Sequence, residues 1–230
     1  MRRFGLVGCG IGGSLSPVLF RAAYPDFRYD LIDTPDFDEA MRVFESGYEA
    51  VNVTAPFKEK AFRYADDTDA VSGRIGAVNI LVHRDGKVRG FNSDYLAVRR
   101  MLLEAAPVEA PGVLVVGCGG AGKAAAIAAA DCGFRTVVAN RSAGRAEEFC
   151  RKNPGLECAS IEDVPSLLSA CGIVIYTLPV SVPCASLISA DDRLVKIEAS
   201  YTNPSLSGTR CTGGRRWLSL QAEEGYRLMV

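Results

Sequence analysis

Apolar and polar positions alternate in short blocks along the whole chain. Phe4 to Val7 is an apolar run of strand length, and Pro17 to Tyr24 fits a helix of about two turns. Phe27 to Ile32 puts Tyr29 and Leu31 on one face, as a strand does. Phe37 to Ser46 sets Phe37, Met41 and Phe44 on one helical stripe. A strand over Ala50 to Val53 and a helix from Lys58 to Tyr64 follow. Ala77 to Val82 and Lys87 to Phe91 flank Asp85-Gly86 as a hairpin. Asp94 to Ala105 reads as a helix and Pro107 to Gly112 as a loop. The pattern then restarts, with a strand at Val113 to Val116, a helix from Lys123 to Ala130 closed by Cys132-Gly133, and a strand at Thr136 to Ala139. Such alternation predicts an α/β protein of two domains, a mainly parallel first sheet followed by a Rossmann-type unit.

Two glycine clusters fit a dinucleotide fingerprint, Gly8-Cys-Gly10-Ile-Gly-Gly13 and Gly117-Cys-Gly119-Gly120-Ala121-Gly122. Each follows a strand-like run. Their sequels separate them. The second leads into an alanine-rich helix and a second strand, a complete βαβ opening. The first leads into Ser14-Leu-Ser16-Pro17, where the proline fits only a first helical turn. Asp33 does fall near the spacing of a ribose-binding acid, so the first cluster is a credible decoy. Gly117 to Lys123 also spells a Walker-A string, but Ala124 stands where a magnesium-binding hydroxyl belongs.

Asn140, Arg141 and Ser142 end the strand after the second cluster, and Arg145 follows. A guanidinium and a hydroxyl suit a 2′-phosphate, which indicates NADP over NAD. The plainer reading makes Arg141 and Arg145 solvated charges at a helix start, with Glu147 and Glu148 blunting their potential.

The 230 residues carry a net charge of -1, which points to neither nucleic acid nor an acidic surface as partner. The charge-poor stretches Val113 to Gly122 and Ala170 to Ala190 are broken by glycines and prolines, so no membrane span is expected. Met1-Arg-Arg-Phe-Gly enters a strand directly, with no apolar signal region. The eight cysteines form no CxxC pair and read as reduced thiols of a cytoplasmic protein; Cys9 and Cys118 lie in glycine turns and read as packing residues before reactive thiols. The lone histidine, His83, has no local metal partner, so no metal site is expected.

Polar residues gather at the expected strand ends of the first hundred residues: Ser14 and Ser16; Asn52, Thr54 and Lys58; Asn79; Asn92, Ser93 and Asp94. Taken singly, Ser14, Ser16, Ser93 or Asp94 reads more simply as a helix cap. Lys58 and Lys60 read more simply as solvated helix charges. Together they offer hydroxyls, amides, an ammonium and a carboxylate, a set suited to a polyhydroxylated carboxylate.

Gly-Ser14-Leu-Ser16-Pro17, Asn52-Val-Thr54-Ala-Pro56-Phe-Lys58, Gly76-Ala-Val-Asn79 and Gly90-Phe-Asn92-Ser-Asp94 resemble, in order and spacing, the shikimate dehydrogenase family. The middle glycine turn, Asn140-Arg141-Ser142, and Gln221 with Gly214 ahead of it extend the resemblance over nearly the whole chain. It implies reversible NADP-dependent reduction of 3-dehydroshikimate to shikimate, with Lys58 and Asp94 as the catalytic pair. It further implies that Ser14 and Ser16 hold the substrate carboxylate and that Thr54, Asn79 and Gln221 bind hydroxyls. NADP falls to Gly117, Gly119, Gly120, Ala121, Gly122, Asn140, Arg141, Ser142, Arg145 and Gly214. The expected division is 1–94 for substrate and 95–213 for NADP, with about 214–230 returning to the first, in a monomer or homodimer.

The chain departs from the family mostly on the nicotinamide side. Gly13 replaces a histidine, Tyr176-Thr-Leu-Pro179 an Asn-Ala-Thr-Pro, Ser181-Val182 a Gly-Met, and Glu198 an aspartate. The stretch from Pro204 to Gly214 is short and reads as lacking a helix, and few residues follow Gln221. These departures leave two alternatives: a relative acting on quinate or another cyclic hydroxy acid, and a non-catalytic dinucleotide sensor.

Overall fold

The structure, a computed structural model, describes residues 2–105 and 112–230. The loop expected at Pro107 to Gly112 lies outside them, except for Gly112, which opens a strand. The chain divides into two compact units, Met1–Ser93 with Gln221–Val230, and Asp94–Leu220.

The first unit is built on strands β1 (Arg3–Gly8), β2 (Arg28–Asp33), β3 (Ala50–Val53), β4 (Asp67–Thr68), β5 (Ile80–Arg84) and β6 (Lys87–Phe91). They lie in the order β2-β1-β3-β5-β6-β4. β1 pairs in parallel with β2 and β3, whereas β5 runs antiparallel to both β3 and β6. Successive side chains point to opposite faces, so each central strand feeds two cores. Phe4, Leu6, Tyr29, Ala50, Ile80 and Val82 pack on one face. Val7, Ile32, Val51, Val53 and Leu81 pack on the other.

Helix α1 (Ser16–Ala23) contributes Phe20 to the first face. Helix α2 (Phe37–Glu45) lays its Phe37, Met41 and Phe44 stripe on the second, and the Asp36 carboxylate caps it by accepting from the Asp38 and Glu39 amides. Helix α3 (Lys58–Tyr64) follows β3. Helix α4 (Ala70–Ile75) is an addition to the sequence reading; Asp69 caps it and Gly76 closes it in the left-handed conformation. The hairpin turn at Asp85 and Gly86, with φ of 55° and 72°, has the positive pair that a tight two-residue connection needs.

Helix α5 (Ser93–Glu104) leads into the second unit. There, β7 (Gly112–Val116), α6 (Gly120–Asp131), β8 (Arg135–Asn140), α7 (Ala143–Lys152), β9 (Leu156–Ser160), α8 (Val164–Leu167), β10 (Cys171–Tyr176), α9 (Cys184–Ala190), β11 (Val195–Glu198) and β12 (Cys211–Thr212) follow in turn. The sheet order is β12-β11-β10-β7-β8-β9, with every pair parallel. This is the doubly wound order, with its switch point between β7 and β10. Residues 204–213 hold only β12 and no helix. α10 (Gly214–Met229) starts in the second unit and ends in the first, where Ala222, Tyr226 and Met229 join the core of Phe4 and Phe20.

Candidate functional site

The register of the first sheet gathers its polar residues at one edge. Leu6 lies opposite Asn52, Asn52 opposite Ile80, and Ile80 opposite Phe91. The ends of β1, β3 and β6 therefore share an edge with the start of β5, which runs the other way. Ser14 and Ser16 come from the first of these ends, Thr54 and Lys58 from the second, Asn92 and Ser93 from the third. Asn79 precedes β5.

The first glycine turn is taken up by the protein itself. The Asp33 carboxylate accepts from the Gly10 and Ile11 amides at 2.7 and 3.0 Å. Those amides and that acid are the pieces a dinucleotide would need, and here they are bonded to each other, Asp33 bracing the turn. A Cβ on Gly8 would stand 2.5 Å from Thr54 Cγ2, so the turn lies directly on Thr54.

The Ser14 and Ser16 hydroxyls lie 3.2 Å apart. Leu15 occupies the cap position of α1, and the Ser14 hydroxyl accepts from the Ser16 amide, the first of that helix, at 3.2 Å, so Ser14 serves the helix start as the capping reading expected. Asn79 is a hub. Its Oδ1 accepts from the Ser93 amide at 2.8 Å, and its Nδ2 donates to Ser93 Oγ and to Gln221 Oε1, each at 3.1 Å. Lys58 is half-buried at the start of α3, and its carbonyl accepts from the Val78 amide at 3.0 Å. Lys60 is exposed, with its ammonium over the Phe37 and Phe57 rings.

Two tyrosines complete this unit. Tyr29 donates to Asn52 Oδ1 at 2.8 Å, and Tyr226 donates to the Ser16 carbonyl at 3.2 Å. Burial drives both hydroxyls well above their usual pKa, so both remain neutral donors. Periodicity puts Tyr29 on one strand face but does not mark its hydroxyl, and no motif marks Tyr226.

The second unit carries the dinucleotide turn. Gly117 has φ of 110°. A Cβ on Gly122 would stand 2.0 Å from the Gly117 carbonyl oxygen, so only glycine lets α6 approach β7. Gly119 has open space instead, with nothing within 4 Å of a built Cβ. Gly120 and Ala121 open α6 directly after Gly119, which caps it, and the first amides of a helix have no partner within it. The buried alanines Ala124 to Ala126 then lie against the sheet, and Ala124 brings no hydroxyl for magnesium.

Arg141, Ser142 and Arg145 are exposed beyond β8. Ser142 sits at the cap of α7 without a capping bond from its side chain. Glu148 is bound to Lys152 at 2.7 Å, which holds its carboxyl below the usual range and ties down one of the two acids that would oppose the arginines.

Two assigned cofactor residues have jobs inside the protein. Asn140 is buried; its Oδ1 accepts from the Cys118 amide and its Nδ2 donates to the Ser142 carbonyl. It shapes the turn and the arginine loop. Gly214 is buried where a Cβ would meet the Ser200 backbone carbon at 2.4 Å, so it seats the start of α10. Cys118, 1% exposed, is the packing residue expected, whereas Cys9 is exposed.

The departures on the nicotinamide side are structural solutions. Tyr176 is buried; its hydroxyl donates to the Val180 carbonyl and accepts from the Val182 amide, building the loop after β10. Glu198, fully buried, accepts from the Ser200, Ser205 and Leu206 amides and folds the loop after β11. His83 stacks on Phe44, and among the described residues no group of three or more potential ligands could hold a metal. No described helix is long and apolar enough to cross a membrane.

A Rossmann sheet with an open glycine turn, joined in one chain to an α/β unit with a hydroxyl- and amide-rich strand edge, defines the class of nicotinamide-linked dehydrogenases. Residues 6–81 match the family model described as the shikimate dehydrogenase substrate binding domain. A shikimate dehydrogenase (NADP(+)) of Halobacterium salinarum is 35% identical over 212 residues, covering 86% of this chain and 79% of that one. The solved shikimate 5-dehydrogenase of Thermus thermophilus, in complex with NADP(H) and shikimate, is 25% identical with a TM-score of 0.83, over 100% of this chain and 94% of that one. A quinate dehydrogenase of Corynebacterium glutamicum, solved with NAD, shares the fold at 22% identity and a TM-score of 0.83, over 100% of this chain and 93% of that one. The chain belongs to the shikimate dehydrogenase family.

Proposed function

We propose that this chain catalyses the reversible, NADP-dependent interconversion of 3-dehydroshikimate and shikimate. The observation that supports the reading is the shared sheet edge, whose strand ends lead into the adjacent Ser14 and Ser16 hydroxyls, Thr54, Lys58 and the Asn79–Gln221 pair. Ser14 and Ser16 present a pair of donors to a carboxylate. Thr54, Asn79 and Gln221 take ring hydroxyls, with Asn79 and Gln221 already bonded to each other and held by Ser93. The bound nicotinamide cofactor would supply the hydride. Lys58 gives a proton to the oxygen on which charge develops, and Asp94 orients the reacting hydroxyl.

The cofactor reading rests on the open space at Gly119 and on the exposed Arg141, Ser142 and Arg145. Asn140 acts on that site through the Cys118 amide. The free thiols support a cytoplasmic location, and we read the active form as a monomer or homodimer.

NADPH formation measured with shikimate and with quinate, each repeated with NAD, tests the proposal. Shikimate with NADP is expected to be the fastest pair. Faster turnover of quinate redirects the substrate, and no turnover with either acid makes the chain a binding protein. Arg141→Ala should weaken NADP about ten- to a hundredfold and leave NAD unaffected, because a charge-assisted contact is worth roughly 1.5–3 kcal/mol. Equal binding of NAD and NADP by the unaltered protein would overturn the arginine argument. Ser14→Ala and Thr54→Val should raise the shikimate KM with little change in NADP affinity by calorimetry. Loss of NADP binding in a folded Ser14→Ala protein would return the cofactor to the first glycine turn.

A further inference from the structure

We propose that Trp217 is a positioning residue for this reaction, holding the Asp94 carboxylate through its indole N–H. The inference rests on the role proposed for Asp94. Trp217 Nε1 donates to Asp94 Oδ1 at 2.9 Å. Both partners are buried, at 4% and 2% exposure. An N–H donated to a carboxylate away from water is among the stronger hydrogen bonds a protein makes.

The choice of donor has consequences. An indole donates and never accepts or titrates, so it offers one fixed hydrogen to one oxygen. That contact limits rotation of the carboxylate about its last torsion, which is otherwise a broad well. The indole is itself fixed. It stands in the first turn of α10, whose start is seated by Gly214 against the backbone of Ala199 and Ser200. Its neighbour Arg216 binds Glu104 at the far end of α5, at 2.8 Å, so α10 grips the Asp94 helix at two points. Trp217 is also the chain's single tryptophan.

Three variants separate positioning from mere support: Trp217→Phe, Asp94→Asn and the double substitution. Trp217→Phe keeps an aromatic ring and removes the N–H. Its kcat should fall about ten- to a hundredfold with NADP affinity unchanged. In the Asp94→Asn background the same change should cost less than about threefold, because residues acting as one unit are not additive. A Trp217→Phe enzyme with near-normal kcat, or a loss repeated in full on Asp94→Asn, overturns the inference while leaving the role of Asp94 standing. A near-normal Asp94→Asn enzyme overturns the reading of Asp94, and the inference with it. Fluorescence of the unaltered protein covers the case in which Trp217→Phe does not fold. Shikimate should shift the emission of the lone indole, and an emission that stays unmoved at saturating shikimate overturns the proposal.

Discussion

Replacing Lys58 by alanine should lower kcat by roughly two to four orders of magnitude while shikimate still binds. Hydride arriving at a carbonyl carbon leaves charge on the oxygen, and that charge needs a proton. Lys58 opens α3, and its backbone is pinned by the bond from the Val78 amide to its carbonyl. The ammonium thus swings from a fixed base, and binding is shared among the serines, Thr54, Asn79 and Gln221. Loss of the ammonium should therefore appear in kcat and little in substrate affinity. Oxidation of shikimate releases the proton, so that direction should speed up as pH rises. Steady-state rates in both directions check this. A Lys58→Ala enzyme with near-normal kcat would remove the lysine from the mechanism and leave Asp94 or water as donor.

Gly122→Ala should abolish NADP binding and lower the stability of the second unit by roughly 3 kcal/mol, at the upper end of overpacking costs. The added methyl would stand 2.0 Å from the Gly117 carbonyl oxygen and 2.8 Å from Thr177 Oγ1. The first obstacle is backbone and cannot swing aside. Gly119→Ala provides the contrast. A methyl there meets nothing within 4 Å, so the melting temperature should hold, while NADP affinity drops where the side chain intrudes on the pyrophosphate's approach. Calorimetry and thermal melts on both variants check the pair. Equal loss of stability in the two would mean that the turn is uniformly packed, with no open side for a phosphate.

Alternation made the longer elements legible. The apolar stripe of α2 and the two-faced strands β1 and β2 follow from periodicity alone. Shorter pieces gave no such signal. Helix α4 has six residues with Gly73 inside, and β4 and β12 have two residues each. Strand β9 sits at the sheet edge with its middle residues exposed, so no apolar face marks it. At the site, residue types at strand ends were readable, but their partners were not. Tyr29 meets Asn52 across 23 residues, Trp217 meets Asp94 across 123, and Tyr226 meets Ser16 across 210. Periodicity says which face a side chain takes and nothing about what waits there. Asn140 and Gly214 show the same gap: their types fit a cofactor site, and only the fold shows Asn140 bonded to the glycine turn and Gly214 seating the start of α10.

The first unit is interrupted: its sheet is encoded before the second unit and its closing helical segment, Gln221–Val230, after it. On the ribosome, the aromatic face of Phe4, Phe20 and Tyr29 must wait uncovered while the whole of Asp94–Leu220 is translated. Only then do Ala222, Tyr226 and Met229 arrive to close it. The second unit, being continuous, can complete its sheet first. Synthesis order therefore lets the later-encoded unit complete its chain in one run, while the earlier-encoded one is completed only by the last ten residues.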